Sequence, residues 1–272
     1  MRYITILILA FGHCTAMGQG LSSQWLLGFG GWANKGRIYF DASSYNFQIE
    51  SRKMGFEGTQ ATICNASGNF LMSSNGVWIA NANNDTMMNG SGLNPNTFTG
   101  ANSNGLLLPY ANIFLPLPGD SSKYILFHHT AEWDGYSYPS NEILYSIIDL
   151  TLDNGLGAVI SKNDTVLKDT LIWGLAACKH ANGRDWWIVA IKNNSDIIFK
   201  ILLTPNGIQS ITSQHLNVPS TWYNVIQPTF SSDGNKFAYT VPDTTSLNSS
   251  ILLFDFDRCT GTFYNEQVVP VS

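Results

Sequence analysis

The sequence predicts an all-β chain folded as a β-propeller of four-stranded antiparallel blades, and three observations carry that reading. Beyond residue 20, no long stretch places apolar residues at i, i+3, i+4 and i+7, so amphipathic helices are not expected. Short apolar or alternating runs recur instead, separated by turn residues. One strand–turn–strand unit also repeats, with its turns at Asn182 and Asp233 about fifty residues apart, near the period of one propeller blade. Composition agrees: 44% of residues are hydrophobic, 12% are aromatic and only 12% are charged, and there are 24 Gly. That mixture builds a large core with many turns and argues against disorder.

Taken from the N-terminus, residues 1–18 are expected to be a signal peptide. Arg2 supplies positive charge, Tyr3–Phe11 is an apolar run too short for a stable membrane anchor, and Ala16-Met17-Gly18 puts small residues at −3 and −1. Cleavage is expected before Gln19, which sends the chain to the cell exterior, the outer-membrane surface or the periplasm. A lipid anchor at Cys14 is disfavoured because His13 stands where a small residue is required. No later segment is long and apolar enough to cross a membrane. Cys64, Cys178 and Cys259 remain after cleavage, an odd number without CxxC spacing, and each reads as a small buried hydrophobe beside a β-like run.

Residues 19–272 read as one propeller domain of about four to five blade-like units. Strand runs include Trp25–Phe29, Arg37–Phe40, Phe47–Glu50, Thr62–Cys64, Phe70–Ser73, Val77–Ala80 and Tyr124–His128. Further runs are Ile143–Asp149, Leu171–Cys178, Trp186–Ile191, Ile197–Leu203, Lys236–Val241, Ile251–Asp255 and Gln267–Val271. Turns with Gly after Asn, Asp or Ser join them at Ser67-Gly68, Asn75-Gly76, Asn182-Gly183, Asn206-Gly207 and Asp233-Gly234, supplying the positive φ that tight hairpins need. Two stretches break the pattern: Asn81–Asn112, rich in Asn, Gly, Ser and Thr, reads as a long loop or an inserted excursion, and His128–Asn141 as a second long loop, unusually aromatic. The clearest unit lies just before Ser272, so a partial ring is expected.

The segment Pro228–Tyr239 (PTFSSDGNKFAY) resembles the WD-like propeller repeat of the TolB type, which implies that its Ser-Asp-Gly turn joins the two inner strands of a blade. Gly58–Ala80, Cys178–Ile188 and Phe254–Gly261 look like secreted propeller proteins typical of Bacteroidetes, which often end in a type IX secretion sorting domain. The second resemblance spans most of the mature chain and implies a secreted or surface propeller with no defined activity. No sorting domain is visible up to Ser272.

The formal net charge of −5 and the lack of a basic stripe argue against a nucleic-acid partner. There is no Gly-x-Ser-x-Gly elbow, Walker loop, dinucleotide fingerprint or EF-hand loop. His128, His129, Glu132 and Asp134 offer metal-ligating groups, but neighbours on a strand point to opposite faces, so no metal site is predicted, and no cofactor. Asp149, Asp255 and Asp257 sit at strand ends, where Asp usually forms turns rather than acid–base pairs. His180, Arg184 and Asp185 flank the Asn182-Gly183 turn, and Trp186-Trp187 are expected to pack within and between blades. The candidate binding residues are Trp133, Tyr136 and Tyr138 in the aromatic loop, with His180 and Arg184. Aromatics on a loop can stack on sugars or anchor a protein partner. The expected function is a non-enzymatic binding module for a protein or carbohydrate ligand at its loops or channel mouth. The alternative is a propeller hydrolase or lyase acting on a polysaccharide or lactone.

Overall fold

A computed structural model describes residues 21–31, 34–102, 104–132, 135, 138–218, 227–242 and 249–271. The expected signal peptide lies outside these residues, as do the candidates Trp133 and Tyr136 and the metal-ligand candidate Asp134.

Strands β1 (Gln24–Leu27), β2 (Asn34–Phe40) and β3 (Tyr45–Ser51) form a three-stranded antiparallel sheet. Four four-stranded blades follow. The first contains β4 (Ala61–Cys64), β5 (Phe70–Ser74), β6 (Trp78–Ala80) and β7 (Thr86–Ser91). The second contains β8 (Asn112–Pro116), β9 (Lys123–His129), β10 (Ser140–Asp149) and β11 (Ala158–Leu171). The third contains β12 (Ala176–Lys179), β13 (Trp186–Ile191), β14 (Ile197–Thr204) and β15 (Gly207–His215). The fourth contains β16 (Thr229–Phe230), β17 (Lys236–Pro242), β18 (Ser249–Asp257) and β19 (Thr262–Val271). Each blade is an antiparallel meander in sequence order, and a single parallel bridge, Ala158 to Met88, joins the outer strands β7 and β11. The inner strands β4 and β8 lie against each other, as do β12 and β16, which is the arrangement of β-propeller blades.

Apolar residues from consecutive sheets fill each gap, because neither face of a blade can be hidden by that blade alone. Ile63, Met72, Ile79 and Met87 pack with Phe114, Leu126 and Ile148 between the first two blades. Ile125, Phe127 and Ile143 pack with Trp186, Ile188 and Leu203 between the next two. Trp187, Val189 and Ile198 pack with Phe237, Phe254 and Phe256 in the last gap. Leu26, Met54 and Phe56 seal the three-stranded sheet against Ala80. That sheet departs from the others in strand number, and its contacts with β4 are mixed: Cys64 N donates to Leu21 O (2.9 Å) and the Gln60 amide to Leu26 O, so β1 runs opposite to β4, while beyond β1 Phe29 and Phe56 meet in a parallel bridge.

The repeated turns fold as their chemistry dictates. Gly183 and Gly234, the two glycines of the fifty-residue repeat, both have φ of 73°, a region open to glycine and strained for β-branched residues. A Cβ on Gly234 would stand 2.8 Å from Arg258 Cδ and 3.2 Å from Cys178 Cβ of the neighbouring blade. Gly234→Val is therefore expected to destabilise the fold by about 1–3 kcal/mol. An unchanged melting temperature would refute the role given to this turn.

Two expectations are corrected, and one strand lies where the sequence marked none. The stretch 81–112 is not one loop: it contains the outer strand β7 and a one-turn helix α1 (Thr97–Ala101) capped by Asn96. Its Asn and Gly content marks bends within that path, where Asn84, Asn89 and Asn94 adopt positive φ. Residues 158–171 form the longest strand, disguised by its polar sequence and by register shifts along its pairing with β10. Cys64 and Cys178 are buried free thiols as expected, and burial pushes the Cys178 thiol up to about 12. Cys259 is exposed instead, because it sits in the β18–β19 turn with its N–H bonded to Asp257 Oδ1 at 2.8 Å.

Candidate functional site

Beside the inner strands of the first sheets lies an open cleft of about 400 Å³. Its walls are Ser22 and Trp25 from β1 and its approach, Gly58, Gln60 and Thr62 from β4 and its approach, and Pro109 and Tyr110 from the segment leading into β8. Local chemistry fixes each wall. The approach to β4 is clamped to the 106–108 segment by Gly58 N and Thr59 N donating to Leu106 O (both 2.9 Å) and by Thr59 Oγ1 donating to Leu108 O. The clamp requires glycine, since a Cβ on Gly58 would stand 2.4 Å from Leu107 O. Gln60 donates its amide to Leu26 O, tying β1 to β4 across the cleft floor.

Two aromatic side chains face solvent here: Trp25 is 51% exposed and Tyr110 is 42% exposed. Tyr110 has φ of 55°, an uncommon backbone state for a bulky residue. It is held there by Leu175 N, which donates to Tyr110 O at 3.0 Å. The Trp25 ring is braced by Phe40, edge to face, at 4.9 Å between centroids. Thr62 Oγ1 is buried with no hydrogen-bond partner. The lining contains no charged side chain and no imidazole or thiol. Its chemistry is two rings, an amide and hydroxyls.

The sequence-predicted residues lie elsewhere. Tyr138 is half-buried, its ring 4.7 Å from Phe98 and its carbonyl accepting from Trp173 Nε1 at 3.1 Å. The loop that carries it leaves β9 beside the entry to β8, where His129 N donates to Ala111 O at 2.8 Å, one residue from Tyr110. His180 sits in the seam of the last two blades, and Arg184 in the β12–β13 turn beside it. His180 Nε2 meets Cys259 O at 3.1 Å, and its Nδ1 accepts from Asn182 N at 3.0 Å. Arg184 grips Asp185 through two bonds of 2.7 and 3.2 Å, and this holds the Asp185 carboxyl below the usual carboxylate range. Trp187 Nε1 donates to Arg258 O at 2.9 Å across the same seam, packing between blades as its sequence position implied.

His128 and His129 are fully buried and face opposite sides of β9. His128 Nδ1 meets Asn94 Oδ1 at 2.8 Å and His129 Nδ1 meets Ser140 Oγ at 2.6 Å, whereas Glu132 is exposed. Among the described residues no three His, Cys, Asp or Glu gather as a metal-binding group. Asp149, Asp255 and Asp257 are each engaged locally: Asp149 by Thr151, Asp255 by Lys236 and Asn265, and Asp257 by Cys259 N and Thr260. These bonds hold all three carboxyls below the ordinary range. No single carboxylate signal in the sequence pointed to the cleft; an aromatic after proline at Tyr110, in an otherwise Asn- and Gly-rich stretch, was its one local mark.

Among solved structures the chain is similar to a dihydro-heme d1 dehydrogenase, NirN, in complex with DHE, with a TM-score of 0.43 and 10% identity over 92% of this chain and 46% of that one. It therefore spans about half of that protein. It is also similar to a fucose lectin from Kordia zhangzhouensis in complex with methyl-fucoside, with a TM-score of 0.34 and 12% identity over 59% of this chain and 99% of the lectin. A third likeness is to Kuenenia stuttgartiensis hydrazine synthase, with a TM-score of 0.35 and 9% identity over 92% of this chain and 66% of that one. No protein-family model matches the sequence, and no curated protein matches it. Among the described residues no helix is long and apolar enough to cross a membrane.

Proposed function

We propose that this chain is an exported, non-enzymatic binding module and that its ligand is an uncharged carbohydrate seated in the cleft between β1, β4 and Tyr110. The chemistry of the lining carries the reading. Exposed rings of Trp25 and Tyr110 offer flat apolar surfaces to the C–H faces of a sugar, and Gln60 and Ser22 offer amide and hydroxyl groups to its hydroxyls. General acid–base cleavage needs a carboxyl or imidazole beside the scissile bond, and the lining supplies neither.

Calorimetric titration with a panel of neutral oligosaccharides tests it. Trp25→Ala and Tyr110→Ala are each expected to weaken binding about tenfold or more, or ~1.4 kcal/mol, with unchanged circular dichroism. Saturable sugar binding that neither variant alters would place the site elsewhere. Binding of acidic peptides alone would overturn the carbohydrate assignment.

A further inference from the structure

The three-stranded sheet is built inside out. Its register puts Trp25 and Leu27 of β1, Ile38 and Phe40 of β2, and Tyr45, Phe47 and Ile49 of β3 on one face. That face carries no charge, yet its four aromatic residues are between 38% and 72% exposed, and Ile49 is 71% exposed. The opposite face bears Lys35, Arg37 and Glu50 and is the one that packs on the neighbouring blade. The gaps between consecutive four-stranded blades are filled by apolar side chains from both sides, so this face has the composition of a blade interface without a facing blade among the described residues.

We infer that this face is the contact between two copies of the chain, stacked sheet on sheet about a two-fold axis. With Trp25 left to the cleft, Phe40, Tyr45 and Phe47 leave on the order of 300 Å² in water per copy at ~200 Å² per ring. Two copies, with Ile49 and Leu27 added, bury about the 1,000 Å² that a specific interface needs. A two-fold contact pairs the patch with itself, and an uncharged patch opposes no like charges when it does so. The outer face of the last blade is a poorer occupant. Its Lys236–Asp255 ion pair would be desolvated against an apolar sheet.

Light scattering and native mass spectrometry on the purified chain at micromolar concentration test the inference. The expected mass is twice that of the chain. Tyr45→Lys and Ile49→Lys, both on exposed side chains that the fold does not need, are expected to raise the dissociation constant at least a hundredfold with an unchanged melting temperature. Val269→Lys, on the last blade, is expected to leave the dimer intact. A monomeric wild-type chain overturns the inference, as does a dimer insensitive to both β3 variants. Loss of the dimer with Val269→Lys would show a head-to-tail contact instead and would also overturn it.

Discussion

Acidification from pH 6.5 to about 4.5 is expected to remove up to about 5 kcal/mol of stability through two histidines alone. His128 and His129 are sealed in the core, and burial drives their imidazoles down to about 3 and about 4 respectively. The neighbouring ring adds to the effect at His128, while the Gly174 carbonyl opposes it at His129. An unfolded histidine titrates near 6.5. Between that value and the folded ones, the unfolded chain holds protons that the folded chain refuses, so stability rises with pH. The contribution is complete above about pH 6.5 and is lost as pH falls through about 4 for His129 and about 3 for His128, at about 1.4 kcal/mol per unit per histidine. Asp41 and Asp120, lowered to about 2 by hydrogen bonds from Ser44 and Lys123, change their balance only below their ordinary 3.8, so their window lies lower. Melting temperature measured against pH should fall steeply from 6.5 to 4.5 in the wild type. It should fall much less in the His128→Gln/His129→Gln variant, whose side chains do not titrate. A wild-type profile flat across that range would contradict the burial of these rings.

The parts of the fold legible in the sequence were those set by local chemistry. Gly183 and Gly234 announced their turns because positive φ has few other occupants, and Trp186–Ile191 announced a strand because it is buried on both faces. The strand at 158–171 was not legible: it is polar and half-exposed along most of its length, so neither hydrophobic alternation nor turn chemistry marks it. The cleft was hidden for a different reason. Its walls come from positions near 25, 60 and 110, and only the docking of three sheets brings them together. Aromatic density drew attention to Trp133, Tyr136 and Tyr138. Density, however, does not separate Tyr138, which is packed on Phe98, from the exposed Tyr110, which is held at positive φ. The inverted sheet was equally unreadable, since alternation along Tyr45–Ser51 tells that one face is apolar and not which face is covered.

That inversion rests on one carboxylate, and Glu50→Ala is expected to cost about 3–5 kcal/mol. Between the first sheet and its neighbour lie three buried cations, Lys35, Arg37 and Arg52. Glu50 receives Arg37 Nε at 2.9 Å, Arg37 Nη2 at 3.1 Å and Arg52 Nη1 at 2.5 Å. The remaining donors are met by carbonyls: Lys35 Nζ reaches Arg52 O at 2.7 Å and Arg52 Nη2 reaches Leu27 O at 2.7 Å. Burial lowers the Arg52 guanidinium from its ordinary value, and Glu50 works against that. Without the carboxylate, two guanidiniums and an ammonium would share a seam that water reaches poorly, and both guanidiniums would lose charge compensation they cannot recover from solvent. Glu50→Gln keeps an acceptor while removing the charge, so an intermediate loss is expected. Lys53→Ala removes an exposed pair with Asp85, with both side chains more than half exposed, and should cost under about 1 kcal/mol. Urea unfolding of the three variants measures the order. If Glu50→Ala proved no more costly than Lys53→Ala, the charged face would not be the buried one, and the apolar face of this sheet would lose its reason for pointing outward.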